Sequence, residues 1–221
     1  AIRAMIPVVQ RFPGFYRRFA DAVRATQPDV IHSHGIKMHV LSGLLRRRTP
    51  VVWHIHDYLG MRSMSSRLAR VIGNRCALAI AVSESVASDA RTVLPASVPV
   101  MAIHNAVDVG RFVPDGPSID LDALSGLDPA PAGTIRIGLP ATFARWKGHD
   151  VFLEAISRVR APHVRAYVIG DAIYETRNSQ WTRNELQALA HRLGIPGRAG
   201  FTGAINDMPA AYRALDIVVH E

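Results

Sequence analysis

Short β-rich apolar runs alternate with segments of helical period along the whole chain, and this alternation limits the fold more than any other feature. The first runs are DVIH (Asp29 to His32), PVVWHI (Pro50 to Ile55), LAIAVS (Leu78 to Ser83) and VPVMAIH (Val98 to His104). The later ones are TIRIGL (Thr134 to Leu139), VRAYVIG (Val164 to Gly170), AGFTG (Ala199 to Gly203) and DIVV (Asp216 to Val219). Helical patterns lie between them, near Phe15 to Thr26, His39 to Arg47, Ser65 to Asn74, Glu84 to Leu94, Asp150 to Arg160, Thr182 to Leu193 and Met208 to Leu215. Apolar strands without strict alternation, joined through helices, predict parallel sheets covered on both faces. Local signals agree: TRNE at Thr182 to Glu185 has capping-box spacing, and Ser83 is placed to cap the helix after it.

The alternation breaks once. The stretch Val113 to Gly133 carries four of the fourteen prolines and reads as a linker. The predicted organisation is therefore an α/β unit over 1–112, a linker over 113–133 and a second α/β unit over 134–221. A length of 221 residues admits one or two domains. With 48% hydrophobic and 20% charged residues, disorder as the general state is excluded. Cys76 is the only cysteine, so no internal disulfide forms, and its apolar setting predicts a buried thiol in a reducing compartment, the cytosol. The longest apolar run, Cys76 to Val82, is far short of the ~20 residues that span a bilayer. The chain opens AIRAMIPVVQ, without initiator methionine or signal-peptide core, and closes ALDIVVHE directly after a strand-like run, so both ends read as cut.

The net charge of +8 fits nucleic acid, an anionic membrane surface or phosphorylated small molecules. Arg17-Arg18 and Arg46-Arg47-Arg48 read as solvated helix ends and faces. No zinc-finger spacing, homeodomain pattern or aromatic RNA-binding signature accompanies the charge, so nucleic acid is not expected as a partner.

Polar residues collect where the predicted strands end. His32 and His34 end the first, His54, His56 and Asp57 the second, Ser83 and Glu84 the third, His104 and Asn105 the fourth. Ligands of open α/β sheets bind outside the carboxyl ends of the strands, so these side chains converge on one rim. Any one of these histidines reads most simply as a hydrogen-bonded strand end; five of the chain's ten in one place favour a site. In the second unit the first strand passes into TFARWKGHDVFLEAI, Thr142 to Ile156. Its backbone donors and helix amino terminus form an anion seat. Arg145 and Lys147, two residues apart, point to the same side if that loop is extended. Gly148 lets the backbone approach a ligand closely.

Those stretches, with YVIGDAIYE, RAGFTGAINDMPAAYRALDIVVH, VIHSH, VVWHIHD, AVSES and IHNAVDVGRF, resemble the family 4 glycosyltransferases in the family's order and across nearly the whole chain. The resemblance implies an α/β fold of two Rossmann-like domains facing across a cleft (GT-B type), here both incomplete. It implies transfer of a sugar from a nucleotide-diphosphate sugar to a hydroxyl acceptor, saccharide or lipid-linked saccharide, with retention and in cell-envelope polysaccharide synthesis. Same-face attack by the acceptor accounts for retention, with no enzymic nucleophile assigned. Lys147 corresponds to a ligand of the donor diphosphate, joined by Arg145 and Gly148. Gly170, Asp171, Gly200, Phe201 and Gly203 correspond to segments of the nucleotide pocket. His34 corresponds to a residue near the transferred sugar, and His56, Asn105 and Asp108 to cleft positions. His32, nearer the strand interior, is expected to act on stability.

Three departures from the family pattern stand out. Ala106 replaces the glycine of an Asn-Gly-Val-Asp turn, and Thr142 stands where many relatives carry a second phosphate-binding arginine, a role that falls to Arg145. The chain also ends before the family's paired glutamates, so by itself it is expected to be inactive. Two cations and a helix terminus can together stabilise a departing phosphate, so neither metal nor cofactor is expected; the nucleotide sugar is a substrate. Peripheral contact with an anionic membrane, at its cytoplasmic face, suits the charge. Two other readings compete: a metal-dependent hydrolase using the His-x-His pairs, with His104 as a third ligand, and a basic non-enzymatic binding module.

Overall fold

The computed structural model describes residues 2–45, 49–61, 63–173 and 179–220, so the Arg46-Arg47-Arg48 cluster lies outside the described residues. The chain forms two compact units, Ala1–Ala106 and Val107–Glu221.

Unit 1 runs α1 (Ile2–Thr26), β1 (Ile31–His34), α2 (Gly35–Gly43), β2 (Val51–Ile55), α3 (Ser63–Ile72), β3 (Cys76–Ala81), α4 (Glu84–Val93) and β4 (Val100–Ala102). Its sheet is parallel throughout, in the order β1-β2-β3-β4. Successive strand residues face opposite sides. Val51, Trp53 and Ile55 therefore share a face with Ala79 and Ala81, and pack with Val86, Ala87, Ala90 and Val93 of α4. The opposite face carries His32, His34, Val52 and His54; both histidines of β1 are exposed, so this face is only partly covered. That differs from the expectation of two covered faces, and it extends beyond the imidazoles: Leu78 and Ile80, on the same face of β3, are only half-buried, and Met101 of β4 is exposed. Helix α1 begins well before Phe15 and passes through Pro13, which forfeits one intrahelical hydrogen bond. Arg17 and Arg18 lie exposed on it. Ser83 caps α4 by accepting the Val86 N–H at 3.2 Å.

Unit 2 runs α5 (Leu121–Ser125), β5 (Ile135–Pro140), α6 (His149–Arg158), β6 (Val164–Ile169), α7 (Arg183–Arg192), β7 (Ala199–Gly203), α8 (Met208–Arg213) and β8 (Ile217–Val218). Its sheet is also parallel, but the order is β7-β6-β5-β8. The chain steps outward from β5 to β6 and β7, then returns to the other side of β5. The capping box at Thr182 is formed on both sides by Glu185.

The stretch expected to be a linker is packed into unit 2. Leu121 is buried with Tyr167, Ile169 and Ala211. Asp122, also buried, accepts hydrogen bonds from Tyr167 Oη (2.6 Å), Arg165 Nη1 (2.5 Å), Arg136 Nη2 (3.3 Å) and Ala130 N–H (3.0 Å). Burial pushes the Asp122 carboxyl up, but these donors outweigh it and bring its pKa down to about 2. A buried carboxylate needs such partners, and three of the four come from β5 and β6. Cys76 is buried, and burial raises its thiol to about 11. No helix of the described residues is long and apolar enough to cross a membrane.

Candidate functional site

In unit 1, β1 and β2 pair with His34 directly opposite His54. Residues two apart project from the same face, so His32, His34, His54 and, one residue beyond β2, His56 form one array. Ring centroids lie 4.6 Å apart for His32 and His34, 4.7 Å for His34 and His54, and 4.5 Å for His54 and His56. His34 Nδ1 is 3.4 Å from His56 Nε2. One nitrogen each of His32, His34 and His54 falls within 4.8 Å of the others, so these three side chains are able to hold a metal ion. His32 is exposed beside His34 rather than turned to the strand interior. The buried histidine of unit 1 is His39, which stacks on Trp53 at 4.7 Å and hydrogen-bonds Ser33 Oγ at 2.8 Å. Burial, reinforced by repulsion from His34, His54, His32 and His56, holds its pKa down at about 4. Beside the array a cavity of about 310 Å³ is lined by Ile36, His39, Ile55, His56, Asp57 and Tyr58 among others.

His104 and Asn105 follow β4 and are exposed. Asp108 lies in unit 2, where its Oδ1 accepts from the N–H groups of Gly110 (3.0 Å) and Arg111 (3.2 Å). Among the described residues Gln27 is the only non-glycine with positive φ, so Ala106 makes its turn with ordinary backbone.

In unit 2 the strand order reverses beside β5, and the crevice of an open α/β sheet lies outside the carboxyl ends at such a switch point. The loop leaving β5 stands there. It is not extended: Arg145–Lys147 forms a 3-10 turn, so Arg145 and Lys147 diverge instead of pointing together. The Arg145 guanidinium lies 3.7 Å from the Trp181 ring centroid and pairs with Glu185 at 3.2 Å. Lys147 Nζ lies 4.3 Å from the Trp146 ring centroid, and among the described residues no carboxylate pairs with it. Gly148 takes the left-handed conformation (φ 60°) and heads α6 without a side-chain cap, so the first-turn amides of that helix have no side-chain acceptor at the cap. Lys147 and Gly148 also border an apolar groove of about 360 Å³ with Val151, Ile217 and Val219.

The ends of β5, β6 and β7 are tied together by backbone. Phe143 N–H donates to Asp171 O (3.1 Å) and Gly170 N–H to Gly203 O (3.0 Å). Gly170 has φ 144°, and a Cβ there would meet Ala141 O at 2.1 Å. Gly200 and Phe201 stand elsewhere: Gly200 packs against Ser125 and Tyr167, and Phe201 belongs to the core with Leu139, Phe152, Leu153 and Leu186. Both are thus engaged in packing, and the rim at this point is formed by the backbone ending at Gly203. Trp181, Glu185 and Arg183, which donates to Phe201 O at 2.9 Å, carry no site signal in the sequence. Their only local signal is the capping box, since the contacts join residues 18 to 40 positions apart.

Two family models match the chain: Glycosyltransferase Family 4 over residues 2–111 and Glycosyl transferases group 1 over residues 134–221. The lipopolysaccharide core biosynthesis mannosyltransferase LpsB of Rhizobium meliloti is 29% identical over 136 residues, which cover 61% of this chain and 37% of that relative. Among solved structures, HepE of Anabaena in complex with UDP-glucose matches with a TM-score of 0.73 at 24% identity, covering 93% of this chain and 56% of its own. Sucrose-phosphate synthase of Thermosynechococcus elongatus matches with a TM-score of 0.72 at 17% identity, covering 93% and 53%. The chain thus spans about half the length of these structures and 37% of the curated relative, and the structural likenesses speak to the fold. With the two models covering both α/β units, the chain belongs to the family 4 glycosyltransferases of GT-B type.

Proposed function

We propose that the protein carrying this chain transfers a sugar from a nucleotide-diphosphate sugar to a hydroxyl of a saccharide or lipid-linked saccharide, with retention and without a metal ion. Unit 2 binds the donor and unit 1 the acceptor side. The observation that carries this reading is the placement of Lys147, Gly148 and the uncapped amino end of α6 at the switch point beside β5. When the acceptor oxygen bonds to the anomeric carbon, the bond from that carbon to the phosphate oxygen breaks, and charge collects on the departing diphosphate. Lys147 and the first-turn amides of α6 face that charge, with Arg145 in support. The relative in complex with UDP-glucose and the lipopolysaccharide core mannosyltransferase support a nucleotide-sugar donor and a cell-envelope product.

The protein acts in the cytoplasm, where Cys76 stays reduced, and touches an anionic membrane. Met64, Leu68 and Val71 are exposed along α3, with Arg67 and Arg70 beside them, a pattern suited to that contact. Neither the hydrolase nor the basic binding module accounts for two glycosyltransferase models over both units.

Calorimetric titration of the full-length protein with UDP and other nucleoside diphosphates tests the donor seat. Lys147→Ala should weaken binding by about 1.5–3 kcal/mol, the range of a charge-assisted hydrogen bond. Unchanged affinity would remove the central claim. His34→Ala should lower kcat and kcat/KM while leaving nucleotide affinity in place.

A further inference from the structure

We propose that unit 1 binds one divalent transition-metal ion through His32, His34 and His54. The three imidazoles come from one face of two adjacent parallel strands, and the register that sets His34 against His54 fixes their spacing. One nitrogen of each lies within 4.8 Å of the other two. Nitrogens bound at about 2.0–2.1 Å to one tetrahedral ion stand roughly 3.4 Å apart, so modest side-chain rotation closes the set. His32 and His34 are exposed, which gives the ion an entry path, while His54 Nδ1 is shielded from solvent with no hydrogen-bond partner among the described residues. A donor set of imidazoles alone suits zinc, copper, nickel or cobalt and offers nothing to the oxygen-seeking magnesium or calcium. Three protein ligands leave the fourth position to water.

Bound metal would occupy a nitrogen of His34 and so oppose sugar transfer; that consequence, unlike the binding, rests on the proposed function.

Cobalt(II) titration of the untagged chain, followed by visible absorption, tests the site. One equivalent should bind with the intense bands of a four-coordinate ion, and zinc(II) should displace it. His32→Ala and His54→Ala should each weaken binding by more than the roughly 10–100-fold that follows loss of an outer-shell partner; His163→Ala, in unit 2, should leave it unchanged. Because a variant could unfold, proton NMR of the unsubstituted cobalt-loaded chain supplies a second measurement: three imidazoles should carry paramagnetically shifted signals. Absence of one-equivalent binding, retention by both variants, or large contact shifts, which only a coordinated ring shows, on histidines other than these three would overturn the proposal. Cobalt binding without any affinity of the full-length protein for nucleoside diphosphates would leave this site standing and break the proposed function instead.

Discussion

Unit 1 and unit 2 are built on the same four-stranded parallel plan, yet they present opposite chemistry at the carboxyl ends of their strands. Unit 1 keeps its strands in chain order and ends them in imidazoles. Unit 2 reverses its order beside β5 and ends its strands in glycines, backbone amides and two cations. The buried polar groups differ in part: each unit encloses a histidine, His39 in unit 1 and His149 in unit 2, whereas the buried carboxylate, Asp122, kept ionised by its donors, belongs to unit 2. A parallel sheet fixes where a rim stands, whereas side chains and strand order decide what the rim can hold.

The largest test of this contrast is Asp122→Ala. It leaves the largely buried Arg165 without its partner, and unit 2 should lose about 3–5 kcal/mol. Hydrogen exchange should register the loss in β5 and β6 and not in β1 to β3; an equal loss in both sheets would break the picture of separate cores.

Acid should separate the units next. His39 titrates near 4 in the fold against 6.5 when unfolded, so the unfolded state binds more protons between those values and stability falls as pH falls through that window. The loss for unit 1 is on the order of 3 kcal/mol. Asp122 is held at about 2 against 3.8, so its contribution is present above 3.8 and disappears only as pH falls toward 2. Protection factors, which correct for the fall of the intrinsic exchange rate with pH, should therefore drop in unit 1 first between pH 7 and 4, and the reverse order would contradict this assignment.

Gly170→Ala sharpens the comparison at the unit 2 rim. At φ 144°, with Ala141 O only 2.1 Å from the new Cβ, the substitution should cost about 1–3 kcal/mol in thermal unfolding. A neutral result would mean that the β5 loop yields easily, contrary to a preorganised seat.

The smallest effect concerns Arg145. Its pair with Glu185 has both side chains more than a third exposed, so Arg145→Ala should change stability by no more than about 1 kcal/mol. Because Trp181 and Glu185 already hold the guanidinium, nucleoside diphosphate affinity should fall less than in Lys147→Ala. Equal losses in a titration would make Arg145 a phosphate ligand of the same standing.

Much of this was legible in the sequence because it is local. The apolar runs VVWHI and YVI name strands, Ser83 and Thr182 name helix starts, and Gly148 before an amphipathic helix names a place where backbone can meet a ligand. Helix α5 was hidden because LDALS is short and flanked by proline-bearing stretches; Asp122 becomes a core residue only through Arg136, Arg165 and Tyr167.

The sequence by itself determined two α/β units and the residue types at their strand ends, since periodicity and strand termini are properties of neighbours along the chain. Tertiary structure alone decided which of those residues meet. The parallel register brings His32, His34 and His54 within reach of one ion, and the 3-10 turn sends Arg145 to Trp181 and away from Lys147. Such meetings depend on strand order and on contacts tens of residues apart, which no local pattern encodes.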